Sequence, residues 1–245
     1  MQLALLGRFN FLGRHEYLLS RQRLGRQDLR CMVRGLPGRA FVLCLWLAEA
    51  LLKPLHILDI THRDQIGDLL NSMGLHGDGA EVGVLYGENA EKILQRWKCA
   101  RLFLVDPYVR WPDDVYTDCT NMVDYEEARR LAVARLQPYQ NKFFISETSE
   151  QASRMFAAES LDFVYLDANH NLENITRDIR LWWPKVKPGA IFGGHDYYDR
   201  DDPHFKCGVQ TAVTKFCKEE NLRPVLCECL SWFVKKPIAA PQLKA

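Results

Sequence analysis

Seven residues, Glu81-Val-Gly-Val-Leu-Tyr-Gly87, constrain this chain more than any other stretch. They read as a short buried strand that breaks into a glycine-bounded turn, and Glu88 to Trp97 behind them carry helical spacing. Strand, tight turn and helix open a doubly wound α/β sheet, where a nucleotide-like ligand lies at the strand's C-terminal end. The helix N-terminus there offers unpaired backbone N–H groups to an anion. The spacing is Glu-x-Gly-x-x-x-Gly, which is not the Gly-x-Gly-x-x-Gly of a dinucleotide-binding turn.

From Thr61 onward, helix-like and strand-like segments alternate with short connections, which argues for a parallel sheet covered on both faces. The pattern predicts strands at 80–85, 101–106, 142–146, 161–167 and 190–194. Helices are expected at 62–74, 88–97, 124–137, 149–158, 171–183 and 207–220, the fifth marked by Leu172, Ile175, Ile179 and Trp182. Strands at 224–229 and 231–237 lie too close together for a crossover helix, so they should form an antiparallel hairpin. The expected fold class is therefore α/β: a Rossmann-like, seven-stranded, mostly parallel sheet with an antiparallel C-terminal hairpin strand and helices on both faces.

Ahead of this unit the charge is uneven. Residues 1–40 hold eight arginines and no lysine against two acids, Glu16 and Asp28. Such a segment reads as a solvated extension, as an organelle-targeting sequence poor in serine, or as a contact for an anionic partner. The apolar run Ala40 to Leu52 is too short to span a bilayer and suits a helix on the core or at a homo-oligomer interface. The expected organisation is an extension over 1–60, a catalytic domain over 61–237 and a tail over 238–245. Eight cysteines without a Cys-x-x-Cys pattern suggest reduced thiols in a cytoplasmic compartment.

Several residues carry candidate chemistry. Gly83 and Gly87 allow a sharp turn and a close ligand approach, or serve strand–helix packing. Glu81 is an acid on an apolar strand, costly to bury without a partner. Asp106 ends the second strand, where a carboxylate can accept both hydrogen bonds of a ribose diol or can cap a loop. Asp167 and His170 follow the fourth strand, and His195 and Asp196 follow the fifth, so all four should meet in the crevice at the sheet's carboxyl edge. His170 is suited to remove a hydroxyl proton near neutral pH, and could instead cap the next helix. Asp196 could instead satisfy backbone donors of its turn.

The Glu-x-Gly-x-x-x-Gly spacing resembles the first motif of class I S-adenosylmethionine (SAM) dependent methyltransferases. Asp167-x-x-His170, Gly194-His195-Asp196-Tyr197 and Gly208-Val-x-x-Ala-Val resemble the small-molecule methyltransferases of the methyltransferase domain family 24 type. The resemblance covers about residues 61–237. It implies that Glu81 faces the aminoacyl end of SAM, that Gly83, Gly87 and Asp106 hold the cofactor, and that Ser149 lies beside adenine or caps its helix. By the same resemblance Asp167 and Asp196 stand where catechol- and sugar-modifying O-methyltransferases bind a divalent metal such as Mg²⁺. His195 stands where those enzymes have a second carboxylate or an asparagine, and imidazole is a poorer Mg²⁺ ligand.

The expected function is SAM-dependent O-methylation of a small-molecule hydroxyl on a sugar, polyol or other metabolite, with His170 and Asp167 as the catalytic pair. No nucleic-acid partner and no transmembrane span are expected. The competing readings are a dinucleotide-dependent oxidoreductase and a SAM binder without catalysis.

Overall fold

The structure is a computed structural model that describes residues 60–112, 122–202 and 205–238. The Arg-rich segment, the apolar run at 40–52, most of the expected tail and the middle of the 107–123 connection lie outside the described residues.

Strand β4 (Leu161–Leu166) is buried at all six positions. A strand with no polar face must be covered on both sides, and the sheet around it is built accordingly. Strands β1 (Asp78–Val82), β2 (Arg101–Val105), β3 (Lys142–Ile145), β4 and β5 (Val186–Gly194) pair in parallel. Near the C-terminus, β8 (Val225–Leu226) and β9 (Trp232–Lys235) complete a seven-stranded sheet in the order β3-β2-β1-β4-β5-β9-β8. The last strand, β9, inserts antiparallel between β5 and β8, as the hairpin expectation required.

Alternation along the strands divides the core into two layers. Leu102, Leu104, Phe163 and Tyr165 pack on one face with α1 (Ile66–Ser72), α2 (Glu88–Arg96) and α3 (Tyr125–Leu136). Val105, Val164 and Leu166 pack on the other with α4 (Ser149–Ser153), α5 (Leu172–Trp182) and α6 (Val209–Glu219). Within α5, Ile175, Ile179 and Trp182 are buried as the spacing predicts, but Leu172 is 49% exposed because the first turn projects past the core.

Several features depart from the sequence expectation, among them the helix expected over 149–158, which ends at Ser153. The helix at 62–74 is a 3₁₀ turn, Arg63–Gln65, running into the shorter α1. The expected strand at 224–229 is only two residues long, since Cys227 to Leu230 close a turn through a Cys227 N–H to Ser231 carbonyl bond of 2.8 Å. A two-stranded antiparallel ribbon, β6 (Asp199–Asp202) with β7 (Phe205–Gly208), stands where a plain connection was expected. Its run of charged residues shows no period-two apolar pattern, the usual mark of a strand.

Candidate active site

The strand order reverses between β1 and β4. Backbone pairing continues past both strands there: Asp167 N donates to the Val82 carbonyl at 2.7 Å, and Gly83 N to the Val105 carbonyl at 2.9 Å. On the far side of β4, His195 N donates to the Leu166 carbonyl at 3.0 Å. The ends of β1, β2, β4 and β5 are thereby locked into one carboxyl edge, the place where such sheets bind ligands.

Gly83 has a tertiary reason to be glycine. Its φ is +90°, and a Cβ would lie 2.0 Å from the Asp167 carbonyl oxygen. Gly83→Ala is expected to cost at least about 3 kcal/mol, read as a lower denaturation midpoint, because both the backbone angle and the β1–β4 contact forbid it. Gly87, at φ +73°, is the N-cap of α2, and a Cβ there would lie 3.2–3.4 Å from Leu136 and Ala132 of α3. Close packing of backbone is therefore what Gly83 visibly serves, and the left-handed angle is what Gly87 serves.

Asp106 holds the turn in shape. One carboxylate oxygen accepts the N–H groups of Val84 and Leu85, both at 2.9 Å, and the other accepts Tyr108 N–H at 2.8 Å. Leu85 sits in the left-handed region at φ 46°, a conformation a non-glycine residue keeps only when its surroundings enforce it. The Tyr108 hydroxyl donates to the Leu85 carbonyl at 3.0 Å, and Arg135 from α3 donates to the Tyr86 carbonyl at 3.0 Å. The loop-capping alternative for Asp106 is realised. A carboxylate has about four acceptor positions, so roughly one remains for a ligand hydroxyl.

Glu81 is 1% exposed. Asn89 donates to one of its oxygens at 2.7 Å, while the other, Oε2, is buried with no hydrogen-bond partner. Burial pushes its pKa up to about 8, against the opposing pull of the Asn89 bond. A carboxylate held so unfavourably is the kind of feature that marks a ligand contact.

Ser149 does not cap its helix. Thr148 is the N-cap, in a reciprocal capping box with Gln151. The Ser149 hydroxyl instead donates to Asp178 at 2.6 Å and accepts from the Trp182 indole at 2.9 Å. Asp178 is buried, and desolvation pushes its pKa up to about 6, partly offset by the Ser149 bond and by the charges of Arg177 and His170.

The second half of the site brings two strand ends together. His170 Nε2 lies 3.3 Å from Asp167 Oδ1 and 3.5 Å from Asp196 Oδ2. His195 Nδ1 lies 2.9 Å from Asp196 Oδ1 and 3.7 Å from Asp167 Oδ1. His170 is 8% exposed. It does not cap α5, whose N-cap is Asn171, with its side-chain oxygen accepting Asn174 N–H at 2.9 Å. One ligand atom from each of Asp167, His170 and Asp196 falls within 4.8 Å of the others. The compact donor set thus contains His170, which sequence reasoning had offered as the base, and His195 borders the same two carboxylates. Asp196 adopts φ 55°, a left-handed angle at the head of the turn after β5.

Sequence reasoning missed three contributors. Arg63, in the 3₁₀ turn, places Nη1 3.6 Å from Asp167 Oδ2, and nothing in its local sequence sets it apart from a surface charge. Asp178 had a signal: it is an acid on the apolar face of α5. Gly208 was noted as a motif, but its role is tertiary. Its N–H bonds the His170 carbonyl at 2.9 Å, and a Cβ would strike Leu172 at 2.6 Å. The ribbon therefore braces the loop that carries His170.

A methyltransferase domain, family 24, matches residues 40–197. The match begins in the apolar run, ahead of the start expected at 61, and ends one residue after Asp196. No curated protein matches the chain. Among solved structures, a Corynebacterium glutamicum protein is 14% identical at a TM-score of 0.53, covering 94% of this chain and 100% of its own. An O-methyltransferase of Klebsiella pneumoniae, so described without proof of activity, is 12% identical at 0.50, covering 81% and 97%. An O-methyltransferase of Bacillus cereus, solved with S-adenosylhomocysteine (SAH), is 13% identical at 0.47, covering 83% and 94%. At these identities the structural likeness speaks for the fold alone. The domain match spans more than half of the sequence and ends on the residues that close the crevice, so the chain belongs to this family of class I SAM-dependent methyltransferase domains.

Proposed function

We propose that the protein transfers a methyl group from SAM to a hydroxyl of a small molecule, with His170 taking the hydroxyl proton. The observation that carries this reading is the convergence of Asp167, His170 and Asp196 beside the glycine turn. SAM supplies a methyl group on a sulfonium, which a nucleophile displaces in line. The residues present suit it: Glu81 Oε2 is a buried acceptor that an ammonium would satisfy, and Asp106 keeps acceptor capacity at the end of β2.

Alignment of nucleophile and methyl group supplies much of the acceleration in such a displacement, and the locked strand ends favour it. A proton received at His170 Nε2 faces carboxylate oxygens on two sides, 3.3 and 3.5 Å away, which stabilise the imidazolium. Asp167 and Asp196 thus hold the ring in place and offset the charge it gains. His195, beside Asp196, completes the polar rim.

The same donor set favours a second reading. Metal–ligand bonds of about 2.0–2.2 Å place neighbouring donors roughly 3.0–3.5 Å apart, and His170 Nε2 stands 3.3 and 3.5 Å from the two carboxylates. Asp167, His170 and Asp196 would hold a divalent cation, which would act as a Lewis acid on the hydroxyl. An imidazole in the set favours Mn²⁺ or Zn²⁺ over Mg²⁺.

Calorimetric titration with SAM tests the function. Saturable binding at one site is expected, and no heat at millimolar SAM would end the proposal. Among the described residues no helix is long and apolar enough to cross a membrane.

A further inference from the structure

Arg63 is held by a tight local knot. The Gln65 side-chain oxygen accepts the N–H groups of Thr61 and His62 at 2.9 and 3.1 Å, and His62 Nδ1 accepts Asp64 N–H at 3.2 Å. This reciprocal cap fixes the backbone of the 3₁₀ turn and so aims the side chain of Arg63. The guanidinium is turned toward the sheet, where the charge of Arg63 acts on Tyr165 and pairs with Asp167. Tyr165 is fully buried, and its hydroxyl is held in turn by Ser231 at 2.8 Å. Burial works against the charge of Arg63, but the Tyr165 and Asp167 oxygens outweigh it and raise the guanidinium's pKa.

At 3.6 Å the contact with Asp167 is an ion pair too long for a hydrogen bond, so the guanidinium's five donors are not consumed by it. The field of Arg63 also reaches Glu81, where it favours the charged carboxylate. Two complementary groups therefore border the same edge, one on β1 and one reaching the end of β4 from the 3₁₀ turn. One is a carboxylate oxygen, Glu81 Oε2, that is buried and has no hydrogen-bond partner among the described residues. The other is a half-buried guanidinium with donors to spare.

We infer that Arg63 and Glu81 form a clamp for an α-amino acid, the guanidinium taking the α-carboxylate and Glu81 Oε2 the α-ammonium of the methyl donor. This rests on the reading of the crevice as a SAM site and assigns Arg63 a role in holding it. A planar fork suits a carboxylate bidentately, which a lysine ammonium cannot reproduce.

Calorimetry on the full chain tests the clamp with three probes: SAH, decarboxylated SAM, which keeps the amine and lacks the carboxylate, and 5′-methylthioadenosine, which lacks both. Arg63→Met is expected to weaken SAH binding roughly 10–100-fold while leaving the affinities for the other two probes as in the wild type. Arg63→Lys should recover part of the loss. Equal weakening of all three probes would make Arg63 a structural residue, and unchanged SAH affinity would give it to the acceptor or to Asp167 alone; either result overturns the clamp. A wild-type protein that binds none of the probes would overturn the methyl-donor reading itself, and the clamp with it.

Discussion

Glu81→Gln is expected to melt higher than the wild type at pH 8 and to lose most of its affinity for SAM. The first effect follows from burial. Desolvation raises the Glu81 pKa from 4.5 to about 8, so between those values the unfolded chain ionises while the folded one keeps its proton. Folding then takes up a proton, and stability falls as pH rises from about 4.5 to about 8, by up to ~1.4 kcal/mol per pH unit. Below that window the carboxyl is neutral in both states and the penalty vanishes. Above it the penalty is constant and amounts to a few kcal/mol. Glutamine has no charge to lose, so denaturant curves at pH 4, 6 and 8 should show the variant pulling ahead of the wild type stepwise. Identical pH dependence in the two proteins would refute the assignment.

The second effect has the opposite sign because a bound ammonium favours the ionised carboxylate. Wild-type SAM affinity should therefore rise with pH up to about 8, with release of a proton on binding at neutral pH. Titrations in buffers of different ionisation enthalpy measure that proton directly. The residue that costs the fold stability is the one that the ligand needs, a common arrangement at functional sites.

His170→Ala is expected to slow turnover roughly 10²–10⁴-fold and to leave SAM affinity nearly unchanged. The imidazole lies between the carboxylates of Asp167 and Asp196, and Glu81, proposed to face the donor, belongs to a different strand end. Unchanged turnover would remove His170 from the chemistry. Exhaustive dialysis against EDTA then separates the two readings of the cluster. Turnover that persists assigns the loss to proton transfer at Nε2, and turnover that collapses and returns with Mn²⁺ assigns it to a cation. For the cation, Asp167→Asn should abolish the return.

Much of this was written along the chain. The buried runs at 101–106 and 161–167, the glycine turn, and two strands too close for a crossover dictated a doubly wound sheet with an antiparallel C-terminal strand. Asp167, His170, His195 and Asp196 could be brought together from topology, because strands that are neighbours in a parallel sheet end on one edge. These features are legible because they depend on periodicity and on residues close in sequence.

The parts that were not legible depend on approach between distant segments. That Gly83 is needed for contact with the Asp167 backbone, that Asp106 ties down the glycine turn, and that Ser149 turns to Asp178 all follow from packing. The same holds for the entry of His170 into the donor set, since a few ångströms of side-chain placement decide it. Arg63 is the plainest case: an arginine before the first helix reads as a solvated charge until the sheet brings Tyr165 and Asp167 up against it. Sequence alone determined the architecture and the edge where the chemistry gathers, because hydrophobic period and chain reach set those. Only the tertiary structure decided which side chain faces which, because burial and charge pairing act across space and leave no mark in local spacing.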